Sequence, residues 1–245
     1  ALDYGETCAS VGLFLFAFRM LLARPDGAYA DVMERALYNG VLSGLGLDGT
    51  SFFYTNPLEC QPAVNHARRD RAHIQTRRQR WFDCPCCPPN VSRLIGSLGK
   101  YLYTAREDTL YVHHYADGSL QTADTALTQR TGYPYDGRIE LEAGRMPYRK
   151  LALRIPGWCE TYTLELNGEP VCVQPRGGYA VVERGWRPGD RLTLMLSMPP
   201  RRVYADPRVR ADEGRAAVCR GPIVYCAEGC DQPEALDGVT LPREA

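Results

Sequence analysis

The chain is predicted to be an α+β protein of more than one domain, a helical region followed by an antiparallel β-sandwich. Two observations carry this. Beyond Thr104 the apolar spacing changes from about 3.6 residues to about 2, the periods of an amphipathic helix and of a half-buried strand. From there on, Asp117-Gly118, Asp136-Gly137, Asn167-Gly168 and Pro188-Gly189-Asp190 supply turn chemistry between short apolar runs. Short strands at that spacing make a sandwich.

The first helix is predicted from Glu6 to about Leu22, where Cys8, Val11, Leu15, Phe18 and Leu22 recur at three and four. Leu13, Phe14 and Phe16 cover much of the remaining circumference, so it should be buried on most sides. Pro25-Asp26-Gly27 ends it, and Tyr29 to about Leu45 resumes the period, giving two antiparallel helices. Ser51 to Asn56, before Pro57, reads as a short extended segment, and residues 59–80 read as a solvated polar loop. Pro88-Pro89 open a third helical period running to Leu102, since proline is tolerated in a first turn. Strands are predicted at Leu110–Tyr115, Arg138–Glu142, Lys150–Ile155, Tyr162–Leu166, Ala180–Glu183 and Arg191–Leu196, with Gly221–Cys226 as the last. About three helices do not close a bundle, because buried faces need partners. The helical region thus looks like the later part of a larger all-helical domain.

Composition excludes several function classes. Basic and acidic residues balance at 29 each, with a pI near 7.1, so no global field steers the chain to nucleic acid or an anionic membrane. A neutral partner such as a sugar fits better. The longest apolar run, Val11 to Phe18, is too short for a membrane span and is followed by Arg19. No signal-peptide pattern opens the chain, and a start at Ala1 without methionine suggests an excised piece. Ten cysteines in a chain too long for a small disulfide scaffold favour reduced thiols and a cytoplasmic location.

Chemistry concentrates in Cys84-Pro85-Cys86-Cys87-Pro88-Pro89-Asn90 and in Tyr4-Gly5-Glu6-Thr7-Cys8. Glu6, Cys8, Cys86 and Cys87 could together hold one metal, with Cys84 a spare thiol, because zinc takes four thiolate, imidazole or carboxylate ligands in a tetrahedron. Adjacent cysteines share a metal only if the backbone turns sharply between them. Three thiolates and a carboxylate carry four negative charges against two positive, leaving electron-rich sulfur. Spacing alone favours a closed structural site over a catalytic one, with unliganded buried cysteines a third case. A helix N-terminus just after Cys87 is the feature that could reverse that order.

Several stretches resemble the β-L-arabinofuranosidases of glycoside hydrolase family 127 and their relatives in family 146. These are Tyr4–Ser10, Met33–Gly40, Phe52–Glu59 and Cys84–Asn90, joined in the sheet region by Arg154–Trp158, Ala205–Val209 and Arg220–Tyr225. The resemblance implies the last part of an (α/α)6 barrel over residues 1–105, a β-sandwich domain over 106–245, and Zn2+ bound by Glu6, Cys8, Cys86 and Cys87. It also implies Cys86 as nucleophile of a retaining hydrolase that releases β-L-arabinofuranose or a related furanoside. The family's general acid/base lies upstream of the Glu-Thr-Cys motif, and only five residues precede Glu6; Glu34, Glu59 and Asp83 do not match it. The expectation is a partial enzyme lacking its proton donor and, on its own, inactive. Exposed helix faces should then associate, with a second copy or with the upstream part. The competing expectation is a non-catalytic module, with a structural Cys3Glu zinc site and a docking sandwich.

Glu34 could face the sugar, but on an amphipathic helix a surface or capping ion pair is an equally good reading. Tyr54 could stack on or hydrogen-bond to the sugar, with aromatic packing the alternative. His66 and His73 are expected in a solvated loop, and His113 and His114 as structural strand residues. Cys60, Cys159, Cys172, Cys219, Cys226 and Cys230 are expected to pack as small apolar groups, with an oxidative pair open to Cys226 and Cys230.

Overall fold

The computed structural model describes residues 5–57, 59–67, 71, 73–229, 231 and 238–242. Helix α1 (Thr7–Ala23) runs into a tight break, and α2 (Gly27–Ala36) starts where Asp26 accepts a hydrogen bond from the Ala28 amide at 3.1 Å, an N-cap. The α2 path continues through a π-helical turn, Leu37–Val41, and a 3-10 turn, Leu42–Gly44. Helix α3 (Pro62–His66) is short, and α4 (Cys87–Gly96) carries its two prolines in the first turn, where their lost N–H groups would have no partner anyway.

Val11, Phe14, Ala17 and Leu21 of α1 pack against Ala30, Met33, Leu37 and Val41, and against Val91 and Leu94 of α4. The expectation that α1 is buried on most sides is not met. Leu13 is 49% exposed, Phe16 63% and Leu22 46%, because α2 and α4 cover one face only among the described residues.

Thirteen strands follow among the described residues, in three sheets. The first has the order β1 (Tyr103–Arg106), β2 (Thr109–Val112), β6 (Lys150–Arg154), β9 (Tyr179–Glu183). The second has the order β3 (Gly118–Gln121), β4 (Ala126–Thr131), β5 (Arg138–Ala143), β10 (Arg191–Leu196), β7 (Tyr162–Leu166), β8 (Glu169–Pro170). Leu110, Val112, Leu151, Leu153 and Val182 of the first sheet close on Leu127, Ile139, Leu141, Leu164, Leu192 and Leu194 of the second. One pairing departs from the antiparallel expectation: β2 and β6 run parallel, Leu110 opposite Leu151. A third, antiparallel sheet holds β11 (Pro200–Tyr204), β12 (Ala216–Arg220) and β13 (Ile223–Tyr225).

Three junctions fix the helices on the sheets. The Gly27 amide donates to Gly177 at 2.7 Å, and a Cβ on Gly27 would lie 2.9 Å from the Gly178 Cα, so only glycine allows this approach. On the side of β6 opposite Leu151 and Leu153, the fully buried Arg154 pairs with Glu34 of α2 and with Asp31. The third sheet meets the π turn through Asn39, whose side chain donates to the Pro222 carbonyl at 2.9 Å and accepts from the Val224 amide at 2.9 Å. No helix among the described residues is long and apolar enough to cross a membrane.

Candidate metal centre

The N-termini of α1 and α4 converge, and the four candidate ligands stand on them. Glu6 is the N-cap of α1 and Cys8 lies in its first turn, whereas Cys86 is the N-cap of α4 and Cys87 its first residue. The start of α1 is clamped to the extended segment before Pro57. Glu6 bridges to Thr55, the Thr7 amide donates to Tyr54 O at 3.0 Å, and the Thr7 hydroxyl donates to Phe53 O at 3.0 Å. The helical backbone of Cys86, at φ −73° and ψ −28°, turns the chain between the adjacent cysteines, as sharing one metal requires. Both helix ends present partial positive charge, which favours anionic ligands there.

One ligand atom from each of Glu6, Cys8, Cys86 and Cys87 lies within 4.8 Å of all the others. The sulfurs are 3.3 Å apart for Cys8 and Cys86, 3.7 Å for Cys8 and Cys87 and 3.8 Å for Cys86 and Cys87, and Cys86 Sγ is 3.6 Å from Glu6 Oε1. Tetrahedral zinc with ordinary bond lengths has S···S edges of about 3.8 Å and S···O edges of about 3.5 Å. The donor set therefore fits a zinc-sized ion, and the thiols are free, not disulfide-bonded. Burial, followed by the Cys8 sulfur, pushes the Cys86 thiol above its usual range, and burial pushes Cys87 up further. A divalent cation acts in the opposite direction by deprotonating coordinated thiols.

Around this cluster, Tyr54 Oη lies 3.8 Å from Cys86 Sγ, with its ring centroid 5.6 Å from Phe82 and 5.9 Å from His73. Asn90, one turn into α4, donates from Nδ2 to Cys8 Sγ at 3.1 Å. Its amide stands in the motif singled out above, but its role needs the fold, because Cys8 is 82 residues away. Cys84 is exposed and outside the cluster, and Cys60, Cys172 and Cys226 are exposed rather than packed. The His66 side chain and Cys230 lie outside the described residues.

Glu34 is not part of this group. It is 2% exposed and its carboxylate accepts from Arg154, from Tyr133 Oη at 2.5 Å and from Trp158 Nε1 at 3.1 Å. It forms an ion pair, but a buried one joining α2 to β6 rather than a surface or capping pair, and no carboxylate oxygen is left to face a sugar. His113 and His114 are buried in the sheet region, as expected of structural residues.

Three family models match the chain in succession: "Beta-L-arabinofuranosidase, GH127 catalytic domain" over residues 1–100, the GH127 middle domain over 109–198 and the family's C-terminal domain over 200–245. The chain belongs to glycoside hydrolase family 127. This family 127 chain is 41% identical to the "Non-reducing end beta-L-arabinofuranosidase" of Bifidobacterium longum subsp. longum, over 97% of its own length. It is also similar to the crystal structure of a GH127 β-L-arabinofuranosidase from Geobacillus stearothermophilus T6, at 45% identity and a TM-score of 0.83 over 91% of the chain. A second solved GH127 β-arabinofuranosidase is 39% identical, with a TM-score of 0.81 over 94% of the chain. The chain spans 38% of the length of the Bifidobacterium relative, and 36% and 38% of the two solved chains.

Proposed function

We propose that this chain is the C-terminal portion of a retaining β-L-arabinofuranosidase whose nucleophile is Cys86. The observation that carries it is the convergence of three thiols and one carboxylate at two helix N-termini, in a family 127 chain. On this reading residues 1–105 are the last part of an (α/α)6 barrel and 106–245 the β-sandwich domain. Glu6, Cys8, Cys86 and Cys87 would hold Zn2+, which when bound supplies the positive charge that keeps the sulfurs ionised at neutral pH.

Cys86 sulfur attacks the anomeric carbon, a C–S bond forming as the glycosidic C–O bond breaks and the leaving oxygen takes a proton from the general acid. Water then attacks the same carbon from the opposite face, gives its proton to the same carboxyl group and displaces the Cys86 sulfur, so configuration is retained. On this reading Tyr54, whose Oη is 3.8 Å from Cys86 Sγ, contacts the sugar. Glu34 is left out of the sugar-contacting set because its oxygens are committed to Arg154, Tyr133 and Trp158. The same reasoning disqualifies Glu34 as proton donor, and Glu59 lies against Arg215 at 2.6 Å. The general acid/base is accordingly assigned to the part of the relatives' length that this chain does not span. Metal analysis tests the reading: about one zinc per chain is expected, lost in Cys86→Ser. Full zinc occupancy in Cys86→Ser would remove Cys86 from the ligand set and sink the reading.

A further inference from the structure

The three sulfurs of the cluster have different neighbours, and the differences sort them by reactivity. Cys87 is 1% exposed, with its sulfur 4.0 Å from the Tyr54 carbonyl, so it is closed to any substrate. Cys8 and Cys86 are both half-buried, and exposure does not separate them. Hydrogen bonding does. Cys8 Sγ takes an N–H from Asn90 at 3.1 Å, whereas no N–H among the described residues reaches Cys86 Sγ, which meets the Cys8 sulfur at 3.3 Å and itself donates to Glu6 Oε1 at 3.6 Å and to Tyr54 Oη at 3.8 Å. Which way the Asn90 amide points is decided by Arg93, three residues on along α4, whose Nη2 donates to Asn90 Oδ1 at 2.8 Å. With the oxygen held by a guanidinium, the NH2 must face the sulfur.

An N–H donor directed at a thiolate is a charge-assisted hydrogen bond. It draws electron density from the sulfur, making it a steadier ligand and a poorer nucleophile. We propose that Asn90, oriented by Arg93, is a positioning residue that fixes Cys8 as a retained ligand and leaves Cys86 as the sulfur free to attack carbon. The step rests on the zinc-thiolate reading above. It adds an explanation of why one of two half-buried thiols in the same cluster is the reactive one.

Two measurements on the zinc-loaded protein test it: competition for Zn2+ against a chromogenic chelator, and iodoacetamide labelling with peptide mass mapping. For Asn90→Leu the expected results are a zinc affinity about 10- to 100-fold weaker and labelling that spreads from Cys86 to Cys8. Arg93→Met should move both readouts the same way but less; Arg93 is exposed, so the fold is not at stake. Unchanged affinity, with labelling inside the cluster confined to Cys86 in both variants whatever the exposed Cys60, Cys84, Cys172 and Cys226 take up, would overturn the proposal, as would labelling of Cys8 in the unaltered protein. Zinc lost in Cys8→Ser but indifferent to Asn90→Leu removes only the role of Asn90. An unaltered protein that takes up no zinc overturns the metal-centre reading and the proposal together.

Discussion

Arg154 of β6 and Glu34 of α2 form an ion pair in which the two side chains are 0% and 2% exposed, 120 residues apart in sequence. The pair is completed by Asp31, whose Oδ1 accepts from Arg154 Nη1 at 2.5 Å, and by the His113 carbonyl, which accepts from Arg154 Nε at 2.6 Å. Burial works against the Arg154 charge, but Glu34 and its neighbours outweigh it and hold the guanidinium well above its usual range.

Breaking one half of a buried pair strands the other charge, which costs about 3–5 kcal/mol. Glu34→Leu and Arg154→Met should therefore each destabilise by that order in denaturant unfolding, and the double variant by less than the sum. Simple additivity would mean that the two side chains do not act as a unit.

Acid should weaken the fold before the carboxylates titrate. His113 sits between Tyr179 Oη and Thr104 Oγ1, each 2.7 Å away, and burial, then the Arg154 charge, lower its pKa from the usual 6.5 to about 3. His114 is lowered well below its usual range by burial first, then by Arg154. Both are neutral when folded and take up a proton below about pH 6.5 when unfolded. The unfolded chain then binds more protons, so stability is full above that pH and falls as pH drops toward the folded value. Each imidazole contributes about 1.4 kcal/mol per pH unit. Unfolding free energies measured at pH 7 and pH 5 test this, and equal values would contradict it.

Asn39 acts as a side-chain clamp that reads the backbone of the third sheet at Pro222 and Val224. Asn39→Ala removes both bonds and should cost about 1–3 kcal/mol. The loss should be local, seen as faster amide exchange at Val224 with little change in the sandwich core. Unaltered exchange there would mean that the sheet is held by other contacts.

Much of this architecture was legible in the sequence, because periodicity and turn chemistry are local properties. The α1, α2 and α4 stretches and the strands β5, β7, β9 and β10 fall where apolar spacing puts them. Other strands carry little pattern. β3 is Gly-Ser-Leu-Gln with three of its four residues exposed, and β11 places two arginines beside a proline. The parallel β2–β6 pairing joins strands that 37 residues separate, Val112 to Lys150, and no local signal announces it. At the centre, the thiol-and-carboxylate set could be proposed from residue types and spacing. The outward face of α1 and the burial of Glu34 could not, since each depends on which elements pack against it. Nor could the bond from Asn90 to Cys8, which exists only once the two helix N-termini meet.

The central claim is that Cys86 is the sulfur that attacks the sugar. Incubating the complete, zinc-loaded enzyme with a mechanism-based arabinofuranosyl electrophile and mapping the adduct by peptide mass tests it most directly. The account predicts one arabinofuranosyl adduct, on Cys86. An adduct carried only by Cys8, by Cys84 or by a carboxylate would contradict it.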